Sequence, residues 1–165
     1  MTKPSTAKSK TKWRQKLERD HPSHGKVVDI PPRMQRQWGQ GTMLIPEPLK
    51  MDALIRTVKN GKLVTVSQLM NRLATDAGAD CACPMTTGIF LRIVAETAEE
   101  DLREGRKRIT PYWRVLRKGG LLNEKYPGGA KAQAAHLKEE GHRIEPGKGK
   151  KPPFVMRYER VLVNL

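Results

Sequence analysis

Three consecutive segments in the middle of the chain carry apolar residues at helical spacing, and together they limit the fold to a helical core. The first ends where an Asn-Gly pair interrupts the pattern. The second opens with Thr65 and Gln68, which have the spacing of a capping box, and the third opens at Pro84 and ends at Gly105. The repeating apolar residues are Leu49, Ala53, Ile55 and Val58; Val66, Leu69, Met70 and Leu73; and Phe90, Val94, Ala98 and Leu102. Three successive helices are therefore predicted.

A basic glycine turn follows the third of these helices. The segments YWRVL and LLNE flank the Arg-Lys-Gly-Gly sequence of residues 117–120, which indicates two strands joined by a turn. Beyond it, an Ala-rich segment predicts a helix that ends at Gly141, and residues 154–163 predict a strand. Three helices followed by a basic hairpin form the order of a winged-helix DNA-binding domain. We therefore expect a mainly α fold with a small β-hairpin, a winged helix-turn-helix.

Positive charge is in large excess and is concentrated at the N-terminus. The chain of 165 residues has 32 Lys+Arg against 17 Asp+Glu, a formal charge of +15, and residues 1–42 hold ten of these cations against three acids. A balance of this sign attracts phosphate polyanions. We expect a basic, largely disordered arm and connector over residues 1–42, with a short helix within residues 11–20. The winged-helix domain is expected over residues 43–143, and a basic linker with a C-terminal strand over residues 144–165.

Cysteine usage and hydropathy indicate a reduced, cytoplasmic protein, associated with the nucleoid if its polyanion is DNA. Both cysteines lie in the sequence DCACP, which is too closely spaced for a disulfide framework and has no second pair for a zinc site. No apolar run approaches the length of a membrane span, and the N-terminus has no hydrophobic core of a signal peptide. We expect no metal, no cofactor and no membrane partner.

In a helix-turn-helix pair the second helix presents its N-terminal residues to the DNA. Here that end carries Thr86 and Thr87, whose alternative role is that of ordinary first-turn residues. Arg117 and Lys118, on the glycine turn, have no acid nearby in sequence, which favours phosphate contacts for them. We predict these four residues to contact the DNA backbone.

Three further features have competing interpretations. Cys83, just before the third helix, is either a reactive thiol with a lowered pKa or a buried capping residue. The basic segment REGRKRI is either a phosphate-binding surface or a surface paired by Glu99 with Arg103 and Glu104 with Arg108. The acids of the third helix are interpreted as a solvated face; they are Glu96, Glu99, Glu100, Asp101 and Glu104.

Three short motifs between residues 111 and 142 resemble those of the O6-alkylguanine-DNA alkyltransferase family. The family carries a Pro-Cys-His-Arg-Val motif, a Tyr-x-Gly-Gly loop and a helix that ends in Glu-Gly-His. The matching residues are Pro111, Arg114 and Val115; Tyr126, Gly128 and Gly129; and Glu140, Gly141 and His142. The resemblance covers roughly residues 46–143 and implies the winged helix-turn-helix of the alkyltransferase C-terminal domain.

The departures from the family decide the expected chemistry. Tyr112 and Trp113 stand where the family has its alkyl-accepting cysteine and the histidine that activates it. Because a phenol is a far weaker acceptor near neutral pH than an activated thiolate, the usual transfer is lost. The family includes alkyltransferase-like proteins that also lack the cysteine, bind alkylated DNA and signal to other repair proteins. The resemblance implies a former active-site pocket formed by Tyr112, Trp113, Arg114, Tyr126, Pro127, Gly128 and Gly129.

Two positions linked to base flipping also differ from the family. Val66 aligns with a tyrosine that displaces the target phosphate, and Met85 with an arginine that fills the vacated stack. Met85 is predicted to wedge between bases as an apolar side chain instead. We expect a non-catalytic protein that binds duplex DNA, with recognition of alkylated guanine and a repair-protein partner as the finer hypothesis. The rivals are a general DNA-binding or transcription-regulator protein, an enzyme that uses Cys83 as alkyl acceptor, and an RNA-associated protein that binds through its arm.

Overall fold

The structure of the protein is a computed structural model that describes residues 12–165. These residues form an α/β fold with six α-helices and three small sheets. The helices are α1 (Lys12–Glu18), α2 (Pro32–Trp38), α3 (Pro48–Arg56), α4 (Val66–Asp76), α5 (Pro84–Arg103) and α6 (Gly129–Glu139). The strands are β1 (Val27–Asp29), β2 (Thr42–Leu44), β3 (Val64–Thr65), β4 (Cys81–Ala82), β5 (Val115–Leu116), β6 (Ile144–Glu145) and β7 (Phe154–Val155). Short 3-10 helices cover Tyr112–Arg114, Lys118–Gly120 and Tyr158–Val161.

The four helices predicted between residues 46 and 141 are confirmed as α3, α4, α5 and α6. The capping box of α4 is formed in both directions. The Gln68 backbone N–H donates to Thr65 Oγ1 at 3.2 Å, and the Thr65 N–H donates to Gln68 Oε1 at 2.9 Å. These bonds satisfy two amides that would otherwise lack partners at the start of the helix, so the cap fixes where α4 begins.

The main core lies where α3, α4 and α5 meet, and a smaller core joins α6 to the C-terminal segment. Met51, Leu69 and Val94 are fully buried in the first, one from each of its helices. Leu122 and Leu137 are fully buried in the second. Tyr112 is 0 % exposed and belongs to the main core. Trp113, the next residue, packs against both cores, so the aromatic pair lies at their junction.

The N-terminal segment is folded over residues 12–42, which differs from the largely disordered arm expected for residues 1–42. The short helix predicted within residues 11–20 is present as α1. Leu17 of α1 is 1 % exposed and belongs to the main core. Arg14 Nη2 donates to both carboxylate oxygens of Asp101 on α5, at 2.7 and 2.5 Å. A single buried leucine hardly changes the composition of a basic segment, so the sequence did not indicate that Leu17 attaches this segment to the core. The Lys/Ser-rich start of the arm lies outside the described residues.

The connector and the sheet next to it are also ordered. Strand β1 pairs antiparallel with β2, which pairs in parallel with β4, and α2 lies within the segment predicted as a connector. This sheet brings residues 27–44 beside the start of α5. Within residues 12–165, none of the helices has the length and apolar character needed to cross a membrane.

The two strands predicted around the glycine turn do not pair with each other. Strand β5 instead pairs in parallel with β3, with Val64 opposite Val115 and Thr65 opposite Leu116. The chain still reverses after β5, where the Arg117 N–H donates to the Leu121 carbonyl at 2.9 Å. Leu121 then forms a bridge with Phe154. The hairpin prediction was wrong because both sides of the turn find partners remote in sequence.

The predicted C-terminal strand over residues 154–163 is much shorter than expected. Only β7 is extended, paired antiparallel with β6, and a 3-10 helix follows over Tyr158–Val161. The chain leaves β7 through Arg157, which adopts a left-handed conformation with φ 55°. Leu162 then bridges to Leu63 beside β3. The apolar residues of the segment therefore pack by turning onto the smaller core rather than by extending a sheet.

Candidate functional site

Tyr112 occupies the centre of the site that the alkyltransferase resemblance singles out, and it fills that centre with its own ring. It begins the 3-10 helix after Pro111 and is 0 % exposed. Its hydroxyl donates to Glu99 Oε1 on α5 at 2.5 Å. The rings of Trp113 and Tyr126 meet it edge to face, with centroids 5.4 and 5.1 Å away. The phenol is thus a packed core group with a satisfied hydroxyl.

Glu99 also holds His136, which links α5 to α6. His136 Nε2 lies 2.9 Å from the same Oε1 atom that accepts the Tyr112 hydroxyl. The imidazole ring stacks on Trp113 with centroids 4.2 Å apart and planes inclined by 12°. Glu99 was interpreted from sequence as part of a solvated, Arg103-paired face, which was wrong. Its i,i+4 spacing from the apolar residue Ala95 was the signal that the sequence offered.

Glu140 collects the hydrogen-bond donors on the other side of the aromatic pair. Arg114 donates to it from Nε at 2.7 and 3.0 Å and from Nη2 at 2.5 Å, and Trp113 Nε1 donates at 3.1 Å. Arg114 Nη1 also donates to the Val58 carbonyl. Both charged side chains are nearly buried, at 12 % and 8 % exposed. The indole N–H is therefore bonded to the motif glutamate from the position where the family has its histidine.

Gln133 of α6 is a structural centre that sequence reasoning missed. It is 0 % exposed. Its Nε2 donates to the Trp113 and Val115 carbonyls at 3.1 and 3.2 Å, and its Oε1 accepts the Asn123 N–H at 2.7 Å. One buried amide thus satisfies three backbone groups around the aromatic pair, a role that no local pattern signals.

The loop before α6 brings the remaining residues of the predicted pocket to this cluster. Tyr126 is 3 % exposed, and Pro127 is half-buried beside it. Gly128 has φ 73°, and a Cβ there would lie 2.6 Å from Ala132 Cβ, so only glycine fits. Gly129, at φ 70°, begins α6. Of the predicted residues, Tyr112, Trp113, Arg114 and Tyr126 come together as a filled cluster, and residues 127–129 follow in the loop.

The two buried phenols make the stability of the fold sensitive to alkaline pH. Burial, and then the hydrogen bond to Glu99, raises the pKa of Tyr112, and burial raises that of Tyr126, both above the ordinary value near 10. Below about pH 10 both phenols are protonated in the folded and the unfolded chain, so their stabilising contribution is fully present. Above it the unfolded chain loses protons that the folded chain keeps. The free energy of unfolding should then fall by about 1.4 kcal/mol per pH unit for each tyrosine.

Chemical denaturation between about pH 9 and pH 11 measures this slope. Tyr112→Phe should remove about half of it. A slope unchanged by that substitution would contradict the assignment, because the fall would then come from other groups such as lysines.

The N-terminal turn of α5 presents an apolar surface. Met85 is 71 % exposed and Ile89 55 % exposed, and their i,i+4 spacing places them on one face. Thr87, by contrast, is 0 % exposed, and its hydroxyl donates to the Cys83 carbonyl at 2.7 Å. A phosphate contact by its side chain is therefore corrected, because the hydroxyl is buried and bonded to a backbone carbonyl one helical turn back. Thr86 is half-buried, with its hydroxyl 3.1 Å from Cys83 Sγ.

Cys83 matches the buried-cap alternative rather than the reactive one. It is the N-cap residue of α5, only 8 % exposed, and packs with Ile30 and Met43. Its backbone N–H donates to the Leu44 carbonyl at 2.8 Å, which fixes it to strand β2. The sulfur is thus enclosed, and an alkyl group on DNA has no approach to it in this conformation.

The glycine turn of residues 117–120 is cationic, and it is exposed except at Gly120, which is buried. Arg117, Lys118 and Gly119 are all exposed, and no ion pair joins either cation to an acid in the part of the chain that the structure describes. Gly119 adopts φ 79°. Because Leu116 lies opposite Thr65, this turn stands beside the first residue of α4.

A second cationic surface, here called the α3 groove, lies between α3 and residues 107–114. It has a volume of about 430 Å3. Its cationic lining residues are Arg56, Lys107, Arg108 and Arg114, and its apolar ones are Ile109, Pro111 and Trp113. The pairing of Glu104 with Arg108, one of the two alternatives for the basic segment, does not form because α5 ends at Arg103, and Glu104 pairs with Arg106 at 3.3 Å instead.

Within residues 12–165, the His, Cys, Asp and Glu side chains form no group that could hold a metal ion. Comparisons with protein-family models, with curated proteins and with solved structures give no match to this chain.

Proposed function

We propose that the protein is a non-catalytic duplex DNA-binding protein with an alkyltransferase-like winged helix-turn-helix. In this proposal α4 and α5 form the helix-turn-helix. The turn of residues 117–120 serves as the wing, although its flanking segments pair with β3 and with Phe154 rather than with each other. The observation that carries it is the pair of exposed cations on that turn, beside the start of α4, in a chain with a formal charge of +15. Cations without acidic partners retain their full attraction for phosphate oxygens.

The apolar face of α5 supplies the second contact of the proposal. Met85 and Ile89 stand at the helix end that a helix-turn-helix directs into a groove. Large apolar side chains so exposed at a helix start are suited to contact base edges or to wedge between base steps. The arrangement supports groove binding with limited sequence readout, since neither side chain forms hydrogen bonds.

Tyr112 supports the non-catalytic part of the proposal. The residue at the position of the family's acceptor is a fully buried phenol, hydrogen-bonded to Glu99. A base extruded from the duplex would need a pocket in which to rest, and Tyr112 occupies that space. We therefore propose duplex binding that does not depend on an alkylated base. A repair-protein partner and a nucleoid location stay predictions.

The double variant Arg117→Ala/Lys118→Ala should bind duplex DNA about tenfold more weakly at fixed salt. Log affinity falls linearly with log salt concentration, and each lost phosphate contact makes this negative slope shallower by about 0.9. The magnitude of the slope should therefore decrease by about 1.8 for the two contacts, as measured by fluorescence anisotropy across a salt series.

The matched control is Lys131→Ala/Lys138→Ala, which removes the same charge from exposed positions on α6. Its affinity should fall less than twofold. Equal losses in the two variants would mean that only total charge matters, and would remove the wing from the proposal.

A further inference from the structure

The α3 groove has no role in the duplex surface proposed above. Fifteen residues of α5 separate Pro84 from Glu99, which is about 22 Å of helix rise. Glu99 contacts Tyr112, next to groove residues Pro111 and Trp113. The groove therefore lies far along α5 from the end that carries Met85, and its lining residues differ from those of the proposed duplex surface.

Two of the four groove cations are held by the protein itself. Arg56 Nε donates to Asp52 Oδ2 at 2.9 Å, and Arg114 is bound to Glu140. These two guanidinium groups line the groove, and the carboxylates of Asp52 and Glu140 neutralise their charge.

Lys107 and Arg108 are the cations that a ligand can use. Both are exposed, and within residues 12–165 neither forms an ion pair with an acid. The nearest acids in sequence, Asp101 and Glu104, are paired with Arg106 at 3.4 and 3.3 Å. The groove thus carries a local positive charge that the fold leaves unbalanced.

The backbone that carries these two cations is anchored. The Thr110 hydroxyl donates to Asp52 Oδ1 at 2.6 Å, and Thr110 is 1 % exposed. Arg56 Nη1 donates to the Arg108 carbonyl at 3.4 Å. Because the segment is fixed before a ligand arrives, little ordering is needed on binding.

The apolar side of the groove selects among anions. Ile109, Pro111 and Trp113 line it next to the cations. A volume of about 430 Å3 is in the size range of sites that bind a small ligand. Cations that follow a phosphate backbone beside an aromatic side chain are the pattern of single-strand binding.

We propose that the α3 groove binds a nucleotide unit, with its phosphate at Lys107 and Arg108 and its base against Ile109 and the part of Trp113 that His136 does not cover. The unit belongs to a single strand or is a free mononucleotide. The inference rests on the proposed function in taking nucleic acid as the polyanion, but it concerns different residues and an unpaired ligand.

Fluorescence anisotropy with a labelled twelve-residue oligothymidylate tests the proposal. Lys107→Ala/Arg108→Ala should weaken its binding at least tenfold, while the charge-matched Lys131→Ala/Lys138→Ala changes it less than twofold. Both pairs are exposed, so thermal unfolding followed by circular dichroism should show an unchanged fold. Equal losses in the two variants would overturn the groove as a site.

Competition identifies the source of the nucleotide. Displacement of the labelled strand by thymidine monophosphate shows that one free nucleotide is sufficient, and displacement only by unlabelled oligothymidylate shows that the strand is required. Either result supports the groove. Equal displacement by polyglutamate at the same charge concentration would show a surface that responds to charge alone, and would overturn the nucleotide assignment.

The same variants separate this inference from the proposed function. Loss of single-strand binding in Lys107→Ala/Arg108→Ala, with duplex affinity no lower than in the control pair, supports two surfaces. If wild-type protein binds the single strand through Lys107 and Arg108 but binds no duplex, the proposed function fails and the groove stands. If Arg117→Ala/Lys118→Ala abolishes both activities and the groove variant neither, the groove proposal fails alone.

Discussion

Replacing Glu140 by alanine should lower the free energy of unfolding by about 3 kcal/mol, whereas Glu139→Ala, one residue earlier, should change it by less than about 0.5 kcal/mol. Glu140 accepts hydrogen bonds from Arg114 and from Trp113 Nε1, and its side chain is 8 % exposed. Its loss leaves a nearly buried guanidinium without a counter-ion and an indole N–H without a partner. Glu139 is exposed at the end of α6, so Glu139→Ala removes the same charge without leaving a buried group unpaired.

Urea denaturation of the two variants at one pH measures the difference. The double variant Arg114→Met/Glu140→Leu should recover much of the loss, because no unpaired charge remains in the core. A Glu140→Ala variant as stable as Glu139→Ala would show that the pair is not structural, and Glu140 would again be available for a functional role.

The helical part of the fold was predictable because its signals are local. Thr65 and Gln68 mark the start of α4 within one turn, and Pro84 and Gly105 bracket α5. Caps and periodicity act over a few residues, so a single sequence contains them. The strands are two or three residues long, and β3 pairs with β5 from 51 residues away, a partner that no short pattern specifies.

The sequence predicted which residues form the site, but it did not predict which side chains surround them. The motifs identified Tyr112 and Trp113, but the partners that bury them, Glu99 and His136, come from two different helices. Whether an acid on a helix faces solvent or a phenol depends on which element packs there, a property of the tertiary fold. The same holds for Thr87, which the fold turns inward although its neighbour Met85 points outward.

Tyr112→Ala should destabilise the protein by about 4 kcal/mol, among the largest effects of any single substitution in this chain. The ring is 0 % exposed and contacts Trp113 and Tyr126 edge to face, so its removal leaves a cavity at the junction of the two cores. Tyr112→Phe keeps the ring and removes only the hydroxyl bond to Glu99, and should cost about 1 kcal/mol. Thermal and urea denaturation of both variants checks the order.

The same conservative substitution tests the proposed function. Because the phenol is enclosed, Tyr112→Phe should leave duplex affinity unchanged, and wild-type protein should bind two duplexes that differ by a single O6-methylguanine with affinities within threefold. A tenfold preference for the methylated duplex, about 1.4 kcal/mol, that Tyr112→Phe reduces would show that the core opens to admit a base. Such a result would replace general duplex binding with damage recognition, and the hydrogen bond from Tyr112 to Glu99 would then be the contact that a flipped base has to displace.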